Sequence, residues 1–439
     1  MGRYSAIIVV LALIAGIAVG AWVGASGDAG LASAAHTVES LGVLWLNLLK
    51  MTVVPLVFCL LVNGIASVAD AAASGRLAAR SIFVFGVLLV TATAYACIIL
   101  PIVLQLWPVD PAVGRAMVEG ATGSAPKAVQ PPTLGGWISA LAPDNPVGAA
   151  ASNSTVLQLT VFALFFGFAA IRLPAAQRET LLGMLKSVAD AVIIIVRWVL
   201  VAAPIGVFAL SLGVGLTSGV GVSGLLVQYV VIAAGVTALI VPMAFLFAVI
   251  WGRVNPVKFL AACSPVFATA ISTQSSLATL PLMVERSRDA LGIPSRAANL
   301  TLPLAVAIFR MTSPVTNLAV CFFVASVHGI PVGIGQIAAG FFVAIAISVG
   351  SVGLPGQVSF VASVAPICAA MGLPIDLLGI LVAIEVLPDI FRTLGNVAGD
   401  MAATAIAGRG LQGDGITETG AASSAGPGSE VPAAASGGA

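Results

Sequence analysis

The sequence predicts an all-α polytopic membrane protein, with eight transmembrane helices plus two re-entrant helical hairpins related as inverted repeats. Three observations predict it. Of 439 residues, 59% are hydrophobic and only 8% are charged, against about 25% charged in a soluble domain. Apolar runs close to the roughly 20 residues needed to cross about 30 Å of hydrocarbon recur along the whole length. These runs are continuous rather than alternating, so they span as helices, which satisfy their own backbone where there is no water. A net charge of +1 and the lack of any Lys/Arg-rich run offer nothing to nucleic acid. Five cysteines (Cys59, Cys97, Cys263, Cys321 and Cys368) lie in apolar segments. An odd count without metal-ligand spacing argues for small buried apolar residues rather than a disulfide framework.

Basic residues orient the elements in order. Arg3 precedes a first span at about 5–25, long enough to be retained as a span rather than cleaved as a leader. Arg76 and Arg80 follow the second, about 42–69. The third, about 81–107, leads into a Gly/Pro/Ala-rich loop at 108–135. The fourth, about 147–171, is followed by Arg172, Arg178 and Lys186. Spans near 190–215 and 223–251 precede Arg253 and Lys258, and Arg409 follows the last. The clusters share one side if both termini are cytoplasmic. A full crossing at 259–283 would strand Arg286, Arg288 and Arg296 outside, so that piece enters and returns on the cytoplasmic face. The 334–372 segment has no Lys or Arg and is broken by Gly350, Gly353, Pro355 and Gly356. It is the second hairpin, entering from outside. Two oppositely oriented hairpins, each followed by a spanning helix, are a secondary-transporter pattern. The Gly/Ala/Ser-rich stretch 409–439 is expected to be a disordered cytoplasmic tail.

The most unusual segment is the last span. Glu385, Asp389, Arg392, Asn396 and Asp400 are spaced four, three, four and four apart, which is one stripe of a helix. Each charge at mid-bilayer costs about 2.5–3.5 kcal/mol on insertion scales, so the stripe must face protein or a watery cavity. One use is a structural seam between helices; the other is a binding site for a charged solute.

Seven collinear motifs resemble one family. They are LWLNLLKMTVVPLVFCLLVNGIASV (44–68), DNPVGAAA (144–151), APIGVFAL (203–210), TQSSLATLPL (273–282), LTLPLAVAI (300–308), GLPG (353–356) and DIFRTLGNVAGD (389–400). Together they resemble the dicarboxylate/amino acid:cation symporter family, which includes glutamate and aspartate transporters, over about residues 1–407. The resemblance implies a homotrimer in a bacterial plasma membrane and an elevator-like transport domain moving against a scaffold. The scaffold is expected at 1–80 and 108–222, the transport domain at 81–107 and 223–408.

It also implies roles. Asp389 holds a substrate amino group, Arg392 pairs with a side-chain carboxylate, and Thr393 and Asn396 contact substrate. Ser275 and Ser276 lie at the first hairpin tip, and Ser313 offers a substrate hydroxyl. Asp400 is a sodium-binding carboxylate, with Asn396, Ala305, Phe309, Ser348, Val349 and Ser351 as further candidate sodium contacts. The chemistry of the residues agrees. Arg offers a planar donor fork to a carboxylate, and an acceptor-only aspartate one turn away suits an ammonium. An acidic amino acid satisfies both; a C4-dicarboxylate or a neutral amino acid satisfies one.

One departure concerns coupling. Members of the family usually carry NMDGT in the seventh span, where this chain has Phe309, Arg310, Met311, Thr312 and Ser313. The usual third-span hydroxyls are replaced by Phe85, Leu88 and Leu89. Sodium, like calcium and magnesium, wants oxygen ligands, so Arg310 is read as a fixed charge standing in for a cation, with a snorkelling Arg310 as the bland alternative. The coupling ion is then Na+ or H+, and no other cofactor is expected. Glu385 is placed to accept from Gln274 or to carry a proton. Lys50 is expected to snorkel, and Asp190 and Arg197 to pair on one helix face. An intramembrane hydrolase fits poorly, because neither His36 nor His328 is buried beside a nucleophile and Asp389 and Asp400 stand about 16 Å apart on a helix. A non-transporting membrane sensor is the remaining alternative.

Overall fold

The computed structural model describes residues 3–73, 75–122, 143–151, 156–350 and 356–411, and all of their regular structure is helical. Ser351, the second hairpin tip and the expected tail from 412 lie outside these residues. The helices are α1 (Arg3–Ser26), α2 (Ala29–Lys50), α3 (Val53–Ala73), α4 (Arg76–Leu106), α5 (Pro111–Thr122), α6 (Pro146–Ala151), α7 (Val156–Ala170), α8 (Ala175–Val201) and α9 (Ala203–Ser218). Then follow α10 (Val222–Ala238), α11 (Ile240–Ile250), α12 (Pro256–Thr273), α13 (Ser276–Asp289), α14 (Ser295–Ile308), α15 (Ser313–Val327), α16 (Ile334–Gly350), α17 (Gly356–Ala370), α18 (Leu378–Ile384) and α19 (Val386–Gly408).

Several spans read as continuous are broken, and prolines explain where. A proline has no N–H for the carbonyl four residues back, and its ring crowds that carbonyl. The second span is split at Met51–Thr52, ahead of Pro55. The 223–251 span is interrupted at Leu239, ahead of Pro242. Around 190–215, α8 and α9 meet at Ala202, before Pro204, with a 60° bend. The last span breaks at Glu385, three residues before Pro388. The expected loop at 108–135 is in part helical, since α5 occupies Pro111–Thr122.

Six helical stretches among the described residues are long and apolar enough to cross a membrane, or seven if the bent pair α8–α9 is one span. The expected figure of eight is not reached by this measure. The last helix is not among the six, as befits one that carries Asp389, Arg392, Asn396 and Asp400.

Both hairpins fold back on themselves. Arg286 Nη2 in α13 donates to Ala261 O in α12 at 3.4 Å, and these residues lie at nearly equal distances on either side of Gln274. Gln274 adopts a left-handed φ of 49° and Ser275 an extended one, which together reverse the chain. In the second hairpin, buried Gln336 Nε2 at the start of α16 donates to Met371 O, just past α17, at 2.7 Å. That pairing closes the two arms at their open end.

Two packing regions result. In the first, α1 lies along α9, which also meets α2 and α5, while α3 packs on α7 and α8. Small residues allow the α1–α9 contact. A Cβ on Gly20 would come within 2.2 Å of Leu212 O, and one on Gly215 within 2.3 Å of Ile17 O. In the second, α19 is surrounded by α4, α10, α11, α12, α13 and α14. From Asn396 to Gly408 every residue of α19 is buried, so this helix has no lipid-facing side there. α15 is enclosed along its length too, with every residue but Ser326 buried.

Candidate functional site

The start of α19 gathers the charges. Pro388 sits in its first turn, where the missing N–H costs nothing, and the break frees the Glu385 side chain to turn toward α10. Glu385, 1% exposed, accepts from the Tyr229 hydroxyl at 2.7 Å and from Arg392 Nη2 at 2.7 Å. Arg392 Nη1 lies 3.8 Å from Asp389 Oδ1. Arg392 Nε is buried and makes no hydrogen bond. Asp389 is less enclosed, with 16% of its side chain exposed. A guanidinium with an unspent donor thus stands beside an accessible acceptor.

One turn on, α19 meets the unwound joint between α14 and α15. Phe309 is extended and residues 309–312 are not helical, so the seventh span opens where the resemblance requires although its motif is altered. Pro314, in the first turn of α15, helps start the new helix. Asn396 Oδ1 accepts from the Thr312 backbone N–H at 3.0 Å, and the Thr312 hydroxyl lies 2.8 Å from Asn396 Oδ1 and 3.0 Å from Arg392 O. Gly395 permits the approach, because a Cβ there would sit 2.4 Å from Thr312 Cγ2.

The other predicted residues fall into place unevenly. The Thr393 hydroxyl donates to Asp389 O. Ser313 accepts from Asn317. Ser275 caps α13 by accepting from Ala278 N–H, and Ser276 opens that helix; both arms of their hairpin pack on α19. Neither serine hydrogen-bonds Asp389 or Arg392 among the described residues. The Ser348 hydroxyl donates to Ala344 O, Val349 is half-buried, and the Ala305 carbonyl accepts from Phe309 N–H. Phe309 stacks on Phe85 with centroids 4.8 Å apart and planes at 9°. Buried Asp400 has no hydrogen-bond partner on either oxygen. Arg310 makes no ion pair among the described residues.

Three expectations change. Glu385 takes Tyr229 and Arg392 as partners, not Gln274, which is exposed at the hairpin tip. Lys50 pairs with Asp376 at 3.1 Å instead of snorkelling. Asp190 and Arg197 are both exposed and form no pair. Tyr229 and Thr312 are the site residues that sequence reasoning passed over. Thr312 carried a signal, since it interrupts an apolar span beside Arg310 and Ser313.

Comparison with known proteins agrees with the expected resemblance. A model of the sodium:dicarboxylate symporter family matches residues 6–409. The human neutral amino acid transporter B(0) is 28% identical over 430 residues, covering 90% of this chain and 78% of that one. The human neutral amino acid transporter A is 27% identical, covering 89% of this chain and 80% of its own. The proton/glutamate-aspartate symporter of Escherichia coli K12 is 28% identical and covered to 91% on both sides.

Proposed function

This chain belongs to the sodium:dicarboxylate symporter family, a family of transporters rather than enzymes, and from that membership we propose that it carries an acidic amino acid across the membrane with a cation. The observation that carries this reading is the side-by-side placement of a buried Arg392 with an unspent Nε and a more accessible Asp389, 3.8 Å from its Nη1. The α-ammonium of the solute goes to Asp389, its side-chain carboxylate to Arg392, and Thr393, Asn396, Ser313, Ser275 and Ser276 line the remaining contacts. A solute that carries both charges gives the unspent Nε of Arg392 an acceptor and brings Asp389 a closer cation than the guanidinium 3.8 Å away. The packing of α1, α2 and α9 mainly on one another, with only a small α9–α10 contact to the helices around α19, supports an elevator-type movement of a transport domain against a scaffold. A homotrimer in a bacterial plasma membrane, both termini cytoplasmic, completes the reading.

A second reading is a neutral amino acid as solute. Glu385 already supplies Arg392 with a carboxylate at 2.7 Å, and a neutral zwitterion then needs only Asp389. Two of the relatives are named as neutral amino acid transporters. Counterflow into proteoliposomes, with labelled aspartate chased by unlabelled aspartate, glutamate, succinate, serine or alanine, decides between them. Exchange of aspartate and glutamate supports the first reading; exchange of serine and alanine alone replaces it with the second; no exchange with any solute rejects transport.

A further inference from the structure

The resemblance implies a cation beside Asp400, and the residues there do not fit sodium. Sodium takes its ligands from oxygen, as the harder divalent cations do. Asn396 Oδ1 already accepts the N–H of Thr312 and lies within hydrogen-bond reach of its hydroxyl. The Ala305 carbonyl is taken by Phe309 N–H at 2.8 Å. Phe309 brings a ring where members of the family usually have an amide, and that ring stacks on Phe85, itself where a hydroxyl is usual. Phe85, Leu88 and Leu89 are all buried, so the third span contributes an apolar wall. What is left is one carboxylate. Both oxygens of Asp400 are buried without a hydrogen-bond partner.

Arg310 is its counterpart. Its Nε is buried and equally unpartnered. The joint that carries it lies against the turn of α19 that leads into Asp400, since a Cβ on Gly399 would sit 3.1 Å from the Met311 side chain and 3.6 Å from the Phe309 ring. The residue sits in the non-helical joint at 309–312, where the backbone is not tied into a helix. An unpaired ionised carboxylate in a membrane interior is expensive, and a permanently charged guanidinium is the one cation that cannot leave.

We propose that the Arg310 guanidinium is a tethered occupant of the cation position at Asp400, so that this position takes no sodium and transport does not draw on a sodium gradient there. This rests on the transport reading only for the placement of Asp400, and not on the identity of the solute.

The test uses the purified full-length protein and thermal unfolding, which needs no solute and therefore fails or succeeds separately from the counterflow assay. Choline chloride is exchanged for sodium chloride at constant ionic strength. The wild type is expected to melt at the same temperature in both. Arg310→Ala exposes the orphaned Asp400, and its melting temperature is expected to rise by about 3 °C on adding millimolar methylguanidinium and to stay unchanged on adding sodium. Arg310→Ala/Asp400→Asn is expected to lose that response. Sodium protection of the wild type that Asp400→Asn removes would overturn the proposal. So would an Arg310→Ala protein that does not respond to methylguanidinium. Should Arg310→Ala not fold, Arg310→Met is measured in its place, and the comparison of the wild type with Asp400→Asn retains the power to overturn.

Discussion

Arg392 donates to Glu385, the residue from which its own helix starts: seven residues apart, about two turns, the two side chains meet at 2.7 Å. Tyr229 holds the far oxygen of the same carboxylate. Glu385 is thus fixed from two sides, and the share of Arg392 available to a solute is set by how firmly it is held.

Glu385→Gln tests that division. With the carboxylate gone, Arg392 is fully available to an anionic side chain, and preference for aspartate over serine is expected to rise about tenfold or more, tenfold being worth about 1.4 kcal/mol. Tyr229→Phe loosens one hydrogen bond, a net of about 0.5–1.5 kcal/mol, and should move the preference in the same direction by a smaller step. Competition of unlabelled solutes against labelled uptake measures both; an unchanged preference in Glu385→Gln shows that Arg392 does not meet the solute.

Asp389→Asn removes the negative charge that an ammonium meets, leaving only a neutral carbonyl acceptor, and keeps the Arg392–Glu385 pair in place. A charge-assisted hydrogen bond contributes about 1.5–3 kcal/mol, so solute affinity is expected to fall roughly 10- to 100-fold with little change in melting temperature. Isothermal titration or protection from unfolding reads the affinity. Arg392→Ala is different in kind, because it leaves Glu385 buried and uncompensated at a cost of about 3–5 kcal/mol; it should lose both uptake and stability.

Thr312→Val removes the hydroxyl that joins the unwound joint to Arg392 O and Asn396 Oδ1. Leaving these buried acceptors short of a donor costs about 1–3 kcal/mol. A melting temperature lowered by several degrees is expected, and Thr312→Ser should recover most of it. Equal stability of the valine variant would mean that the Asn396–Thr312 backbone bond alone holds the joint.

Gly20→Val is expected to disrupt α1. The first added carbon would meet Leu212 O at 2.2 Å, and overpacking of this kind costs at least about 1–3 kcal/mol. Gly235→Ala in α10 is the control, since nothing lies within 4 Å of the added carbon. Fluorescence-detected size exclusion after heating should separate the two variants clearly.

Much of this arrangement was legible in the residues. Arg286, Arg288 and Arg296 implied that 259–283 must return, and the Arg286–Ala261 bond shows the return. The four-three-four-four stripe put Asp389, Arg392, Asn396 and Asp400 on one interior face. The breaks at Thr52, Leu239 and Glu385 were also written in Pro55, Pro242 and Pro388, although hydropathy alone runs straight through all three. Other features had no local signal. Tyr229 is 156 residues from Glu385, and one tyrosine in an apolar helix looks like any other core aromatic. Lys50 and Asp376 are 326 residues apart, and only the folded chain shows that they meet. The count of spans is least legible, because proline-broken helices blur what one crossing is.

The close seating of α1 on α9 reaches beyond packing. Helices in such backbone-to-backbone contact cannot slide past each other without collision, so when the bilayer thins or thickens they must change tilt together. Hydrophobic mismatch would then be absorbed by this plank at the periphery, while the enclosed α19, which presents no outer face to the acyl chains from Asn396 onward, is insulated from it. Solute recognition should accordingly vary little with lipid chain length, even where the rate of turnover does.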